Sequence, residues 1–84
     1  MKHATAPALD RLATLLVELR AIEGLNEKRP GIFYRKSRAF LHFHEDQAGL
    51  FADVRDPAGV NFDRFDVTTQ TTWPDFVAEV ARRL

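Results

Sequence analysis

Arg38-Ala39-Phe40-Leu41-His42-Phe43-His44 and, after a polar gap, Gly49-Leu50-Phe51-Ala52-Asp53-Val54-Arg55 are the two stretches that decide how this chain folds. Apolar and polar residues alternate in both. Leu41 and Phe43 interleave with His42 and His44, while Leu50, Ala52 and Val54 interleave with Phe51, Asp53 and Arg55. A period of two is the signature of a strand with two different faces. Glu45-Asp46-Gln47-Ala48 is short and polar, so the two strands read as an antiparallel hairpin.

Working outward, Gly31–Arg35 reads as a strand before a Lys36-Ser37 turn. On the other side, Asp56-Pro57-Ala58-Gly59 is a turn in which proline fixes φ and glycine permits positive φ. Asn61–Val67 reads as a fourth, weaker strand. A Lys36-Ser37 turn is expected to pair Tyr34 with Ala39 and Phe33 with Phe40. A four-residue loop is expected to pair Phe43 with Leu50 and His42 with Phe51. Residues directly opposite share a face. One face then collects Ile32, Tyr34, Ala39, Leu41, Phe43, Leu50, Ala52 and Val54, joined by Phe65 and Val67. It is almost wholly apolar and reads as the core. The other collects Phe33, Arg35, Arg38, Phe40, His42, His44, Phe51, Asp53 and Arg55, with Phe62 and Arg64 beyond.

Helices flank the strands. Leu9, Leu12, Leu16 and Leu19 recur at steps of three and four, with Leu15 and Ile22 widening the stripe. This predicts an amphipathic helix over Ala8–Glu23, with Pro7 at its start and Gly24 at its end. Asn26–Pro30 reads as a polar connection. Trp73, Phe76, Val77, Val80 and Leu84 mark a closing helix. Thr72-Trp73-Pro74-Asp75 resembles a capping box before it. The expected fold is α+β: an N-terminal helix, an antiparallel sheet of three to four strands and a C-terminal helix, with both helices on one sheet face.

With 84 residues the chain reads as one domain, 1–84, of which 1–6 are expected to be flexible. Hydrophobic residues make up 45% and charged residues 29%, which argues against disorder. Twelve basic residues balance twelve acidic ones, without the basic excess of a typical nucleic-acid binder. The absence of cysteine excludes disulfides, thiolate zinc sites and thiol catalysis, and it suits a reducing cytoplasm. No apolar run reaches the roughly 20 residues that span a bilayer, and Met1–Pro7 lacks the apolar stretch of a signal peptide. The expectation is a soluble, cytoplasmic domain without a membrane partner.

The mixed face is where chemistry concentrates. His42 and His44 lie two apart on one strand and point the same way, with Asp53 on the neighbouring strand. Two imidazoles and a carboxylate form a first-row metal set, against the simpler reading of surface histidines paired with acidic neighbours. His42 with Asp53 could move protons, but no nucleophile accompanies them and so short a chain has little room for an enclosed pocket. Phenylalanines among arginines also suit unpaired bases or a subunit interface; zero net charge favours the interface.

Phe40-Leu41-His42-Phe43-His44-Glu45-Asp46 followed by Gly49-Leu50-Phe51-Ala52-Asp53-Val54 resembles small bacterial domains, among them the family labelled luciferase domain. There a strand with His-x-His precedes a glycine turn and another strand. The resemblance spans residues 31–84. It implies no light emission, no transferable activity and no assigned site residue. The leading expectation is a non-enzymatic module without a cofactor that forms a homodimer or binds a protein through the mixed face. A metal or small-molecule site at His42, His44 and Asp53 is the alternative, and single-stranded nucleic acid the weaker one.

Overall fold

The computed structural model describes residues 2–84. In chain order the elements are β1 (Lys2–His3), α1 (Ala6–Arg11), α2 (Ala13–Arg20), β2 (Asn26–Arg29), β3 (Ile32–Arg35), β4 (Arg38–Asp46), β5 (Gly49–Arg55), β6 (Phe62–Asp66) and α3 (Trp73–Arg82). The α+β class follows the expectation, but the antiparallel sheet has six strands. Its order is β2-β3-β4-β5-β6, with β1 paired to β4.

The two extra strands come from segments that looked unstructured. Met1, the first residue of the expected flexible end, lies outside the described residues. Lys2 pairs with Glu45 and His3 with His44. β5 occupies one edge of β4, so β1 lies on the same edge as β3 and continues its line. The Ala4 N–H donates to the Phe43 carbonyl at 3.0 Å and the Thr5 N–H to Glu45 Oε1 at 2.6 Å, which holds the arm down. β2 is Asn-Glu-Lys-Arg, an all-polar strand at the sheet edge, where charge discourages pairing with other chains. Arg29 precedes proline and is pushed to extended backbone, which serves a strand as well as a loop. Glu27 ties β2 to α2 by accepting from Arg20 Nε at 2.6 Å and Nη2 at 3.1 Å.

The leucine stripe is helical, but the expected single helix breaks at Leu12, which joins α1 to α2 at φ −100°, ψ 12°. Its N–H reaches the Leu9 carbonyl, three residues back, so the chain tightens there while the side chain stays fully buried. α2 ends at Arg20, earlier than expected; Gly24, at φ +92°, instead turns the chain toward β2. The capping box does not form. Thr72 Oγ1 donates to the Thr69 carbonyl at 2.7 Å, and a 3-10 turn over Gln70–Thr72 leads directly into α3.

Leu12, Leu15, Leu16 and Leu19 share one buried cluster with Trp73, Phe76 and Val80 of α3 and with Leu41, Phe43, Leu50, Ala52 and Val54 of the sheet. Trp73 Nε1 donates to the Val67 carbonyl at 2.9 Å, so its one polar atom is satisfied inside the core.

Register departs from expectation in two places, with opposite consequences. The β4–β5 turn is Gln47-Ala48 alone, closed by Asp46 Oδ1 accepting the Ala48 N–H at 2.7 Å. It pairs Phe43 with Ala52, His42 with Asp53 and His44 with Phe51, in place of Phe43 with Leu50 and His42 with Phe51. A shift of two keeps every side chain on its face. The β3–β4 hairpin does pair Tyr34 with Ala39, but Phe33 then pairs with Leu41, so Phe40 is the extra residue of a bulge. Phe40 and Leu41 are consecutive and both buried. The bulge reverses β3: Phe33 enters the core, fully buried, while Ile32 and Tyr34 lie half-buried on the open face.

Candidate metal centre on the open sheet face

The expected four-phenylalanine patch does not exist. Phe33 and Phe40 are core residues, at 0% and 4% exposure. Phe51 is half-buried on the open face and Phe62 is 37% exposed beside it. Arg35, Arg38 and Arg55 gather at one end of the sheet, around the β3–β4 and β5–β6 turns. His42, His44 and Asp53 come together near the other end, as their spacing implied.

A third imidazole joins them. His3 lies opposite His44 in the ladder and therefore projects from the same face, so all three histidines of the chain meet. The ring centroids are 4.8 Å apart for His3 and His44, 4.7 Å for His42 and His44, and 5.6 Å for His3 and His42. One ligating nitrogen from each residue lies within 4.8 Å of the others. His3 was invisible as a site residue because its strand is two residues long, too short for any periodicity. The only signal was that the chain held one further histidine.

His42 Nδ1 and His44 Nε2 are 2.8 Å apart, and His44 Nε2 is also 3.2 Å from Asp53 Oδ2. A neutral imidazole carries one proton, so His44 Nε2 can donate to the carboxylate or accept from His42. It cannot do both. His44 Nδ1 is buried and makes no hydrogen bond of good geometry among the described residues, although the Lys2 backbone interacts with this imidazole. Burial, reinforced by the neighbouring imidazole of His44, pushes the His42 pKa below its usual 6.5. Burial does the same to His44 against the opposing pull of Asp53. Near neutral pH the pair is therefore uncharged, the form that binds metal.

Asp53 is 8% exposed and sits beneath this group. Arg64, its partner on β6, grips it with two bonds, Nε to Oδ1 and Nη2 to Oδ2, each 2.8 Å. That fork holds the Asp53 carboxyl below its usual range. Phe62 walls the cluster, its ring centroid 4.9 Å from that of His42, and the Arg55 guanidinium lies over the Phe62 ring, 4.6 Å from its centroid.

The donor set is three imidazoles with the Asp53 carboxylate beside them and no thiolate, which suits a borderline divalent ion such as Zn²⁺, Ni²⁺ or Cu²⁺. With metal–nitrogen bonds of about 2.05 Å, two nitrogens lie about 2.9 Å apart at right angles and about 3.3 Å apart in a tetrahedron. The 2.8 Å between His42 and His44 fits the first and reaches the second with a small ring rotation.

No family model matches this chain, and comparison with curated proteins and with solved structures finds no match. Among the described residues no helix is long and apolar enough to cross a membrane.

Proposed function

We propose that this domain binds a divalent transition-metal ion on its open sheet face, through His3, His42 and His44, with Asp53 as a fourth ligand or as the carboxylate that orients His44. The observation that carries this is the third imidazole, which the two-residue β1 delivers to a pair already selected by strand alternation. Three neutral nitrogen donors beside one buried carboxylate leave a divalent ion with partial charge compensation and an open coordination position. Such a position admits a small ligand or a donor from a second molecule. The cysteine-free composition supports a cytoplasmic setting.

The test is titration of tag-free, chelator-treated protein with Zn²⁺ and Ni²⁺ by calorimetry, with elemental analysis of the loaded product. One equivalent per chain is expected. His44→Ala should abolish binding, and His3→Ala should weaken it more than about tenfold, or 1.4 kcal/mol, with the far-ultraviolet dichroism of both variants unchanged. Stoichiometric binding that survives in His44→Ala would overturn the reading, as would the absence of binding by the wild type.

Self-association through the same face is the second reading. It is supported by Phe62, 37% exposed beside the cluster, and by Val60, 70% exposed in the β5–β6 loop. With Phe33 and Phe40 in the core, the face offers fewer aromatic anchors to a partner than its residue pattern implied. Light scattering with and without Zn²⁺ separates a dimer bridged by metal from one formed by apolar contact.

A further inference from the structure

At the end of the sheet away from the histidines, a cavity of about 270 Å³ lies between the β3–β4 turn, the β5–β6 loop and the end of α3. Arg35, Lys36, Arg38, Arg55 and Arg83 line it, above a floor that includes Phe40. Arg83 is neutralised, with Glu79 and Asp63 both at hydrogen-bond distance. The other four cations have no ion-pair partner among the described residues. The one carboxylate in the lining, Asp56, is turned into its own loop, accepting the Val60 N–H at 3.0 Å and the Asn61 N–H at 3.2 Å. Five cations therefore converge with three carboxylates, Asp56, Glu79 and Asp63, beside them, an excess of positive charge in a chain whose formal net charge is zero.

The guanidiniums are also brought close together by the backbone. Arg38 Nη2 donates to the Gly59 carbonyl at 2.9 Å, and Arg55 Nη1 donates to the same oxygen at 3.3 Å. Arg55 Nε is anchored on the Ala39 carbonyl at 2.7 Å. Gly59 sits at φ +75°, and a Cβ there would lie 3.3 Å from Arg38 Nη1. The left-handed backbone there, which favours glycine, turns this carbonyl toward the two arginines. Each arginine keeps unused N–H donors, and guanidinium cannot relieve repulsion by losing its proton. A neutral protein that holds two guanidiniums on one oxygen, with Asp56 spent on its own loop and Glu79 and Asp63 on Arg83, has built a receptor for negative charge.

We infer that this cavity binds a small ligand carrying a phosphate or diphosphate group. Planar forks match phosphate oxygens two at a time, and four cations call for more than one negative charge. The volume admits such a group with little else, so the ligand is of metabolite size, its apolar part resting on Phe40 and Pro57. This inference is independent of the metal reading.

The test is calorimetric titration of the metal-free full chain with inorganic diphosphate at low ionic strength. Saturable binding at one site is expected, weakened more than tenfold by Arg38→Gln and by Arg55→Gln and unchanged by Arg11→Gln, an exposed cation on α1. Arg38 is exposed, so its variant carries the test even if Arg55→Gln fails to fold. Absence of saturable binding would overturn the inference. Equal weakening by all three variants would also overturn it, reducing the effect to overall charge. So would a single-stranded oligonucleotide that binds and that diphosphate does not displace, which would make the end a nucleic-acid surface.

Discussion

The two ends of the sheet face the same problem of crowded positive or potentially positive groups, yet they solve it differently. At the His3 end, three imidazoles crowd around a carboxylate that Arg64 already holds. Imidazoles can shed their protons, and burial makes His42 and His44 do so, so that end adjusts itself and becomes a set of neutral donors. At the Arg38 end the groups are guanidiniums, which stay charged at any accessible pH. That end can be relieved only from outside, by an anion or by salt.

Four experiments break or sharpen this contrast. The largest effect is expected from Phe40→Ala, which removes the floor of the arginine cavity and a side chain only 4% exposed. It should cost about 3–5 kcal/mol in urea unfolding, a large part of the stability of a domain this small. A cost near zero would mean that the bulge is not part of the folded core. Next, Zn²⁺ at a hundredfold excess over its dissociation constant should stabilise the wild type by about 2.7 kcal/mol. His44→Ala should lose this gain, and Arg38→Gln should keep it. If Arg38→Gln lost it too, the two ends would be one site.

The third concerns pH. The His42 and His44 pKa values are depressed in the folded state, so the unfolded chain takes up protons first as pH falls below the ordinary 6.5. Apo stability should be greatest above that value and decline as pH drops from it toward the depressed folded values. Asp53, also depressed, adds a further loss below its ordinary 3.8. His42→Asn should flatten the upper part of the decline; an unchanged profile would place the protons elsewhere. The smallest effect is expected from salt. Raising ionic strength should stabilise the anion-free protein by a few tenths of a kcal/mol, roughly the scale of a surface charge interaction. Arg38→Gln should reduce that gain, whereas His3→Ala should not.

What the residue pattern revealed depended on whether neighbouring alternatives differed in chemistry. In β4 and β5 the apolar and polar positions are distinct, so their faces were legible even with the register off by two. In β3, Ile32 and Tyr34 on one side and Phe33 on the other are all apolar, so the pattern could not tell which side faces the helices. The bulge at Phe40 decided it, and no glycine or proline marks that bulge in the sequence. β2 was hidden because an edge strand made of charged residues has the composition of a loop. His42, His44 and Asp53 were legible as a group because they lie within or beside one hairpin. His3 was not, because what places it is main-chain pairing to β4, a contact across some forty residues.

The bulge at Phe40 also makes the sheet a counting device. Along β3 and β4, which groups meet the helices and which meet solvent depends on an odd or even number of residues between Phe33 and Leu41. Replacing a side chain there changes one contact. Removing Phe40 altogether would restore strict alternation through the hairpin and so, if the turn held, exchange Phe33 with its neighbours. The exposed positions Arg35–Arg38 should therefore tolerate many substitutions, but the segment Phe33–Leu41 almost no insertion or deletion, and a shortened hairpin would present its oily side to water.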